Sequence, residues 1–333
     1  MRSFLRPVAG LSCLVALAVT ACSTTTAHTS ADRATAQTTD AATEEAPDTT
    51  AYAPYVSATT PSDHDTAGSP TTYNLAFVIA DGTGCTPTWG GTHPVDDSTV
   101  TSRISGLTET RVSFGGASGA ELATACESAE ELAEAYGAAL DAAGATRADF
   151  DIEGDTLTDA DSVALRSEAI ALLQRDRPGL EVSFTLPVMP SGLDDDSVAL
   201  LESANDHGVQ VATVNIMTMN YGSTYTGDMG AYAIRSAKAT HAQLKEVFGQ
   251  SDAGAWRAMA LTSMIGVNDV DGETFTLADA ARVRAFAEEK EIAWVSMWAT
   301  FRDQQCADDE TRAATDCSGV TQTPGAFAEA LSG

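Results

Sequence analysis

The stretch at residues 148–154 reads ADFDIEG and alternates acidic with apolar side chains. In an extended strand neighbouring side chains point to opposite faces, so Asp149, Asp151 and Glu153 share one face. Successive carboxylates on that face lie ~6.5 Å apart, because a strand rises ~3.3 Å per residue. The large apolar residues between them indicate that the other face is buried too. The stretch therefore predicts a strand in the interior of a larger sheet.

An acidic row in such a strand is costly for stability, because buried carboxylates lose hydration and repel one another. Repulsion and burial raise the pKa of at least one of them, which keeps a carboxylic acid protonated for general-acid catalysis. The alternative is an exposed acidic edge strand. Phe150 and Ile152 at the alternate positions argue against it. The row therefore predicts a catalytic site.

Short apolar runs alternate with helical stretches from Ala51 onward. This alternation predicts parallel strands joined by helices, and eight strands in roughly 280 residues predict an α/β fold, a (β/α)8 TIM barrel. A doubly wound sheet is the alternative, but the glycine-rich phosphate fingerprint that it often has is missing. The predicted strands are Tyr52–Ala58, Tyr73–Ala80, Arg111–Gly115, Ala148–Glu153, Glu181–Val188, Val209–Met219, Arg257–Ile265 and Ile292–Ala299. The clearest predicted helices are Ala129–Ala143, Thr158–Arg175, Met229–Phe248 and Leu277–Glu289.

The charge of the chain is strongly negative, with 47 acidic residues against 18 basic ones and a formal net charge of -29. Such a surface repels phosphate backbones and anionic lipid headgroups, which argues against nucleic-acid binding. No cysteine or histidine spacing resembles a zinc or iron–sulfur site, so we expect no metal. We expect a monomer that needs no cofactor.

The N-terminal segment has the pattern of an export signal. Two arginines precede an apolar run at Val8–Val19, which is too short to span a bilayer but suits a signal-peptide core. The small residues that follow lead to Cys22, and this resembles the lipobox of bacterial lipoproteins. The resemblance implies that residues 1–21 are removed and that Cys22 is acylated. Plain secretion with cleavage near Ala21 is the alternative.

Residues 22–50 are dominated by Thr, Ala and acidic side chains, and they lack hydrophobic periodicity. They cannot bury enough apolar area to offset their conformational entropy. They predict a disordered linker between the lipidated cysteine and a catalytic domain at residues 51–333. The protein is then expected on the extracellular face of the bacterial membrane, attached through lipid alone or released from it.

Four cysteines remain for disulfides after export, and four cysteines in an oxidising compartment allow three pairings. Cys306 with Cys317 closes the shortest loop. Cys85 with Cys126 is the natural complement, so we expect these two pairs.

Four motifs resemble those of glycoside hydrolase family 18. Residues 149–153 resemble the end of its DxxDxDxE signature, SFGG at residues 113–116 its SxGG motif, and MTMNYG at residues 217–222 its sixth-strand Met/Tyr/Asp motif. Trp298 lies where the family places a tryptophan under the bound sugar. The motifs fall on predicted strands three, four, six and eight, in the family's order. The resemblance covers residues 51–333 and implies a chitinase-like enzyme.

The sixth-strand motif allows two registers. If Met219 and Tyr221 take the Met and Tyr places, Gly222 replaces the Asp. If Met217 and Asn220 take the Met and Asp places, Met219 replaces the Tyr. In either register Tyr221 is the only tyrosine of the motif that can hydrogen-bond an acetamido group.

The resemblance also implies a mechanism, in which Glu153 protonates the glycosidic oxygen and the substrate's own N-acetyl oxygen attacks the anomeric carbon. Asp151 would orient the amide, with Asp149 behind it sharing a proton. Tyr221 would position the acetamido oxygen, and Trp298 would form an apolar floor. Water would then open the oxazolinium ion with Glu153 as base. The outcome is hydrolysis of β-1,4 bonds in chitin or N-acetylglucosamine oligomers with retention of configuration.

Two other functions are possible on the same barrel. An endo-β-N-acetylglucosaminidase acting on N-glycans would use the same residues. A non-catalytic chitin-binding lectin typically lacks the acid, whereas Glu153 is present. The first Asp of the signature falls at Thr146, so one carboxylate is absent. In the family that carboxylate lies furthest from the sugar.

Further candidates come from loops and strand ends. Trp89 follows strand two and is expected either to stack on a sugar or to pack in the core. Asn268 and Asp269 follow strand seven, at the rim where barrel active sites lie, and are expected to bind sugar hydroxyls unless they are merely solvated. The complete set of predicted substrate-binding residues is Trp298, Met219, Asn220, Met217, Ser113, Gly115, Gly116, Asp269 and Trp89.

The lipobox yields a first prediction. Cys22→Ser should move the protein from the membrane fraction to the soluble fraction, because lipid chains rather than a spanning helix would attach it. Fractionation of cells expressing both forms, with detection by antibody, measures this. Retention of the variant on membranes after a high-salt wash would show that the lipobox interpretation is wrong.

Overall fold

The computed structural model describes residues 50–307 and 311–333. The predicted signal segment, the lipidated Cys22 and the linker up to residue 49 lie outside these ranges. Within them, no helix is both long enough and apolar enough to cross a bilayer.

Parallel strands form a closed ring, which confirms the predicted (β/α)8 barrel. The barrel strands are β1 Ala51–Tyr52, β2 Tyr55–Ser57, β3 Thr72–Ala80, β6 Glu109–Gly115, β7 Arg147–Asp151, β8 Glu181–Pro187, β9 Val211–Met217, β10 Met259–Met264 and β13 Trp294–Trp298. Strand β3 pairs with β6, and the ladder continues through β7, β8, β9 and β10 to β13. Two short strands close the ring, because β1 pairs with β13 and β2 pairs with β3.

The remaining strands are short additions to the barrel. β4 (Pro87–Trp89) and β5 (His93–Pro94) extend the sheet from β3 as antiparallel strands. β11 (Gly266–Val267) and β12 (Thr274–Phe275) form a separate hairpin after β10.

Helices follow the barrel strands: α1 Ser98–Ile104, α2 Ala129–Ala143, α3 Asp155–Thr158, α4 Ala160–Asp176, α5 Asp195–Asp206, α6 Met229–Phe248, α7 Asp252–Arg257, α8 Leu277–Lys290 and α9 Ala326–Ser332. Most of them begin at a side-chain cap, whereas α3 and α9 begin at a glycine without one. α2 and α6 have the predicted bounds, and Ser128 caps α2 by accepting from the backbone N–H of Glu131. The helix predicted from Thr158 begins instead at Ala160, because Asp159 is extended and accepts from the N–H of Asp161.

The main core lies between the strands and the helices, and it fixes which way β7 faces. Phe114, Phe150 and Phe184 are paired in register on β6, β7 and β8, with ring centroids 5.3 and 5.7 Å apart. Tyr136 of α2 packs edge-on against Phe150 at 5.0 Å. Because Phe150 faces the helices, Asp149 and Asp151 face the barrel interior, as the alternation predicted.

Strand β7 ends at Asp151, two residues earlier than predicted. Ile152 still donates its N–H to the carbonyl of Thr185 at 3.0 Å, and Gly154 then turns the chain away with φ 62°. Glu153 therefore lies at the mouth of the barrel rather than within the sheet.

Both expected disulfides are present, Cys85–Cys126 and Cys306–Cys317. Cys85 lies between β3 and β4, and Cys126 lies between β6 and α2. This bond joins two loops on the side of the barrel where the strands end.

Candidate active site

A cavity of about 350 Å³ opens where the barrel strands end, which is where barrel enzymes bind substrates. Carboxylates, aromatic rings and methionine side chains all contribute to its wall. The lining residues are Tyr55, Phe77, Ala117, Asp151, Glu153, Thr185, Pro187, Val188, Met189, Asp194, Met217, Met219, Asn220, Thr262, Met264, Asp269 and Trp298.

Asp149 lies beneath this cavity, with its side chain almost completely buried. Its Oδ2 accepts from Tyr55 Oη at 2.9 Å and from Ser113 Oγ at 2.6 Å. Its Oδ1 accepts from Ser183 Oγ and from Thr185 Oγ1, both at 2.8 Å. Four donors fill the hydrogen-bonding capacity of a carboxylate, so Asp149 is committed to the barrel interior. Asp149 therefore supports the acidic row from within the barrel.

Asp151 is the next carboxylate toward the solvent, and it lines the cavity while only 5% exposed. Burial, followed by the negative charges of Glu153 and Asp149, raises its pKa well above the usual range. The raised pKa favours the neutral, protonated form of Asp151. Its Oδ1 is buried without a hydrogen-bond partner, which costs about 1–3 kcal/mol until a ligand supplies one.

Glu153 ends the row at the mouth, where it is half-buried. Burial raises the pKa of its carboxyl group. A raised pKa keeps the acid protonated to a higher pH, and the proton is lost only as the pH rises through that pKa. Glu153 is thus suited to donate a proton to a bound ligand.

The SFGG motif supports the acidic row instead of contacting a ligand. Ser113 donates to Asp149, and the Gly116 N–H donates to the Asp151 carbonyl at 2.9 Å. Gly115 has φ 99°, and a Cβ there would clash with the Asp151 carbonyl oxygen. The predicted substrate contacts of Ser113, Gly115 and Gly116 are corrected accordingly, because none of the three lines the cavity.

Aromatic rings form the wall beside the acidic row. Trp298 is partly exposed and lines the cavity. Phe77 stacks on it at 5.5 Å between centroids, and Tyr55 meets it edge-on at 5.9 Å. Neither Phe77 nor Tyr55 was predicted from the sequence to lie at this site. The register between β3 and β6 shifts between Leu75 and Val78, so no simple alternation places Phe77 in the barrel interior.

The segment after β9 contributes Met217, Met219 and Asn220 to the cavity. Asn220 has φ 53°, and its Nδ2 lies 3.5 Å from Oδ2 of Asp269, which also lines the cavity. The next residue, Tyr221, is not among the residues that line the cavity.

Tyr221 does not contact the cavity, which corrects the prediction that it binds an acetamido group. It is buried, its Oη accepts from Ser236 Oγ at 3.4 Å, and its ring packs against Tyr225 and Tyr232. A tyrosine committed to this cluster cannot reach a ligand beside Asp151.

A buried glutamate that the sequence analysis missed holds the segment after β9. Glu273 lies in the β11–β12 hairpin and is fully buried. Its Oε1 accepts from the Gly222 N–H at 2.8 Å. This contact fixes the backbone next to Asn220, so a residue far along the chain shapes the cavity wall.

The surroundings of three other residues from the sequence analysis show where each of them lies relative to the cavity. Trp89 is fully buried and points its Nε1 at the Val95 carbonyl, so it packs in the core and cannot stack on a sugar. Asn268 is buried and donates to the carbonyls of Met264 and Gly266, which is a structural role. Thr146 precedes β7, at the opposite end of that strand from the cavity.

The contact at Gly115 yields a second prediction. Gly115→Ala should destabilise the protein by more than the ~1–2 kcal/mol of an unfavourable backbone conformation, because its Cβ also clashes with Asp151. The clash should displace Asp151 and lower activity as well. Gly144→Ala is the matched control, because Gly144 has φ 62° but an added Cβ would meet no atom within 4 Å. Urea unfolding and activity assays measure both; equal stability losses with full activity would contradict this account.

Comparison with known proteins relates the chain to chitinases, although no protein-family model matches it. It is 34% identical over 275 residues to a "Probable bifunctional chitinase/lysozyme" of Escherichia coli (strain K12), covering 76% of this chain and 31% of that protein. It is 31% identical over 278 residues to Endochitinase 11 of Metarhizium anisopliae, covering 77% of this chain and 53% of that protein. The chain thus spans about a third to a half of the length of these relatives.

A solved structure matches over nearly its whole length. The catalytic domain of a hyperthermophilic chitinase from Pyrococcus furiosus has a TM-score of 0.74 and 30% identity, with 84% of this chain and 93% of that chain covered. The chain therefore belongs to the glycoside hydrolase family 18 chitinases.

Proposed function

We propose that this protein hydrolyses β-1,4 bonds in chitin or chitin-like N-acetylglucosamine oligomers by substrate-assisted catalysis with retention of configuration. The observation that carries the proposal is the acidic row that rises from the barrel interior to the cavity. Asp149 is satisfied by four hydroxyl groups, Asp151 is buried with a free oxygen atom, and Glu153 reaches the mouth.

Glu153 is the proton donor in this proposal. Its raised pKa favours the protonated form that must transfer a proton to the scissile glycosidic oxygen. Once the leaving group has departed, the same carboxylate accepts a proton from the water that opens the intermediate. Glu153 is the acidic group of the row nearest the solvent, which suits both steps.

Asp151 is poorly suited to attack the anomeric carbon, because its pKa is raised by burial and by two neighbouring carboxylates. A neutral carboxyl group is a weak nucleophile but a good hydrogen-bonding partner for an amide. We infer that Asp151 orients the substrate's acetamido group, whose oxygen supplies the nucleophile. Attack from within the same sugar is intramolecular, which removes much of the entropic cost of the step.

The remaining wall suits a sugar ring. Trp298 and Phe77 offer stacked apolar surface, and Asn220 and Asp269 offer polar atoms beside it. A mostly apolar wall with a few placed polar groups is typical of small-ligand sites. Since the structure places Tyr221 outside the cavity, we assign the acetamido group to Asp151 without help from that tyrosine.

We also propose that the enzyme acts as a monomer, attached through a lipid on Cys22 to the extracellular face of the bacterial membrane. The apolar run at Val8–Val19 and the small residues before Cys22 support export and acylation. The two disulfides fit an oxidising compartment.

Replacement of the acid tests the proposed function. Glu153→Gln keeps the shape of the side chain but removes the transferable proton, so hydrolysis of N-acetylglucosamine oligomers should fall by about 10²-fold or more. Chromatography of the products gives the rates, and calorimetry with the same oligomers should show that binding persists.

Asp155→Asn is the control for this variant. Asp155 is an exposed acid two residues further along the chain, outside the cavity, and its replacement should leave the rate unchanged. Near-wild-type turnover by Glu153→Gln would refute the assignment of the acid.

A further inference from the structure

A chain of hydrogen bonds runs through the barrel interior beneath the cavity and ends at Asp149. Thr262 Oγ1 on β10 donates to Asn215 Oδ1 on β9 at 2.9 Å, and Asn215 Nδ2 donates to Thr185 Oγ1 on β8 at 3.0 Å. Thr185 in turn donates to Asp149. Asn215 is only 1% exposed and does not line the cavity, so it cannot contact a bound sugar.

The number of available protons gives Asn215 its importance in this network. Thr185 and Tyr55 each have one hydroxyl proton, and both donate it to Asp149. Their oxygen atoms nevertheless lie 3.0 Å apart. With both protons directed at the carboxylate, the two oxygens face each other as acceptors and need a donor from elsewhere. Asn215 Nδ2 has two protons and lies 3.0 Å from Thr185 Oγ1 and 3.5 Å from Tyr55 Oη, so it supplies that donor.

Thr262 determines which way the amide of Asn215 points. Its hydroxyl group donates to Asn215 Oδ1, so Nδ2 faces the two hydroxyl oxygens. In the opposite orientation Oδ1 would face two oxygen atoms that have no proton left to donate. Thr262 is itself buried and lines the cavity, so the chain of hydrogen bonds connects the cavity wall to Asp149.

Building on the proposed function, we propose that Asn215 is a positioning residue for the reaction, because its amide allows Thr185 and Tyr55 to donate to Asp149 at the same time. Together with Ser113 and Ser183 these hydroxyl groups direct four protons at the carboxylate. A carboxyl group in that position has no acceptor for a proton of its own, so the network favours its ionised form.

The ionised Asp149 matters for the residue above it. Burial, then the charge of Glu153 and then that of Asp149 raise the pKa of Asp151. A protonated Asp151 is the form that binds the acetamido group in the proposed mechanism. Asn215 therefore acts on the reaction through two carboxyl groups, without contacting the substrate.

Asn215→Leu tests this role, because leucine has the same branched shape but no donor. Without the amide, one of the two hydroxyl groups donates to the other, and Asp149 loses one of its donors. We expect kcat on N-acetylglucosamine oligomers to fall roughly 10-fold, which corresponds to one hydrogen bond to a charged group. KM should stay the same, because Asn215 does not line the cavity. Initial rates over a range of oligomer concentrations separate the two constants.

Asn215→Asp should give a pH dependence that a merely structural role would not produce. A protonated carboxyl group can donate to the threonine on β8 as the amide does, whereas an ionised one cannot. Its titratable neighbours are Asp149 and Asp151 on β7 and Tyr55 on β2, and its neighbours on β8 and β10 are uncharged threonines. Burial and the charge of Asp149 raise the pKa of the new carboxyl group. Relative to the wild type, kcat should therefore fall as the pH rises through that pKa.

Asn74 provides the matched control. It is a buried amide on β3, whose Oδ1 accepts from Arg111 and whose Nδ2 donates to the Ala53 carbonyl, both at 2.8 Å. Asn74 pairs with Arg111, which pairs with the first residue of β7, at the end of the barrel opposite the cavity. Asn74→Leu and Asn74→Asp should leave kcat and its pH dependence unchanged. Urea unfolding shows how far each variant is destabilised.

The contrary outcomes are distinct. Wild-type kcat in Asn215→Leu, or a wild-type pH profile in Asn215→Asp, would overturn this inference and leave the proposed function intact. Equal losses of kcat in the Asn74 and Asn215 variants would overturn it too, because they would reflect destabilisation alone. If Asn215→Leu does not fold, the pH profile of Asn215→Asp decides. Failure of the wild-type enzyme on every acetylated oligomer would overturn the proposed function and this inference with it.

Discussion

The carboxylate of Asp149 in the barrel interior is the constraint on which the site depends. A buried charge is tolerated only when hydrogen bonds replace its lost hydration. Three other strands meet this demand, because Tyr55 on β2, Ser113 on β6 and two hydroxyl residues on β8 all donate to it. The polar lining of the barrel under the cavity follows from this one requirement, and the four donors leave this carboxylate with no capacity to bind a ligand as well.

Asp151, the next carboxylate toward the solvent, therefore has a different environment. Asp151 has the fully hydrogen-bonded carboxylate of Asp149 below it and Glu153 above it, and burial raises its pKa. Burial also raises the pKa of Glu153, which lies nearer the solvent. The row thus runs from a fully hydrogen-bonded carboxylate, through a buried carboxyl group with a raised pKa, to a half-buried acid at the mouth. The raised pKa values disfavour an ionised nucleophile in the row, so the proposed mechanism assigns the attack to the substrate's own amide.

The orientation of the acidic row and the barrel fold could be predicted from the sequence, because both follow from the pattern of neighbouring residues. The alternation around Phe150 placed the acidic row in the barrel interior, and strand–helix alternation predicted the barrel itself. Tyr221 was misplaced because the strand alternation does not continue past Met217: Asn220 adopts a positive φ. Glu273, from a hairpin fifty-odd residues away, accepts from the Gly222 N–H, a contact that no short pattern reveals. Phe77 was missed because the register shifts within β3. The residues that surround and position the acidic row were thus harder to predict from the sequence than the row itself.

In the proposed mechanism the substrate itself provides the nucleophile. The most direct measurement compares hydrolysis of N-acetylglucosamine oligomers, fully deacetylated glucosamine oligomers and cello-oligosaccharides of equal length, with and without a thiazoline mimic of the oxazolinium ion. We predict that only the N-acetylated oligomers are cleaved and that the thiazoline inhibits, because an active site favours the shape and charge of the high-energy species. Efficient cleavage of cello-oligosaccharides without inhibition by the thiazoline would contradict the account.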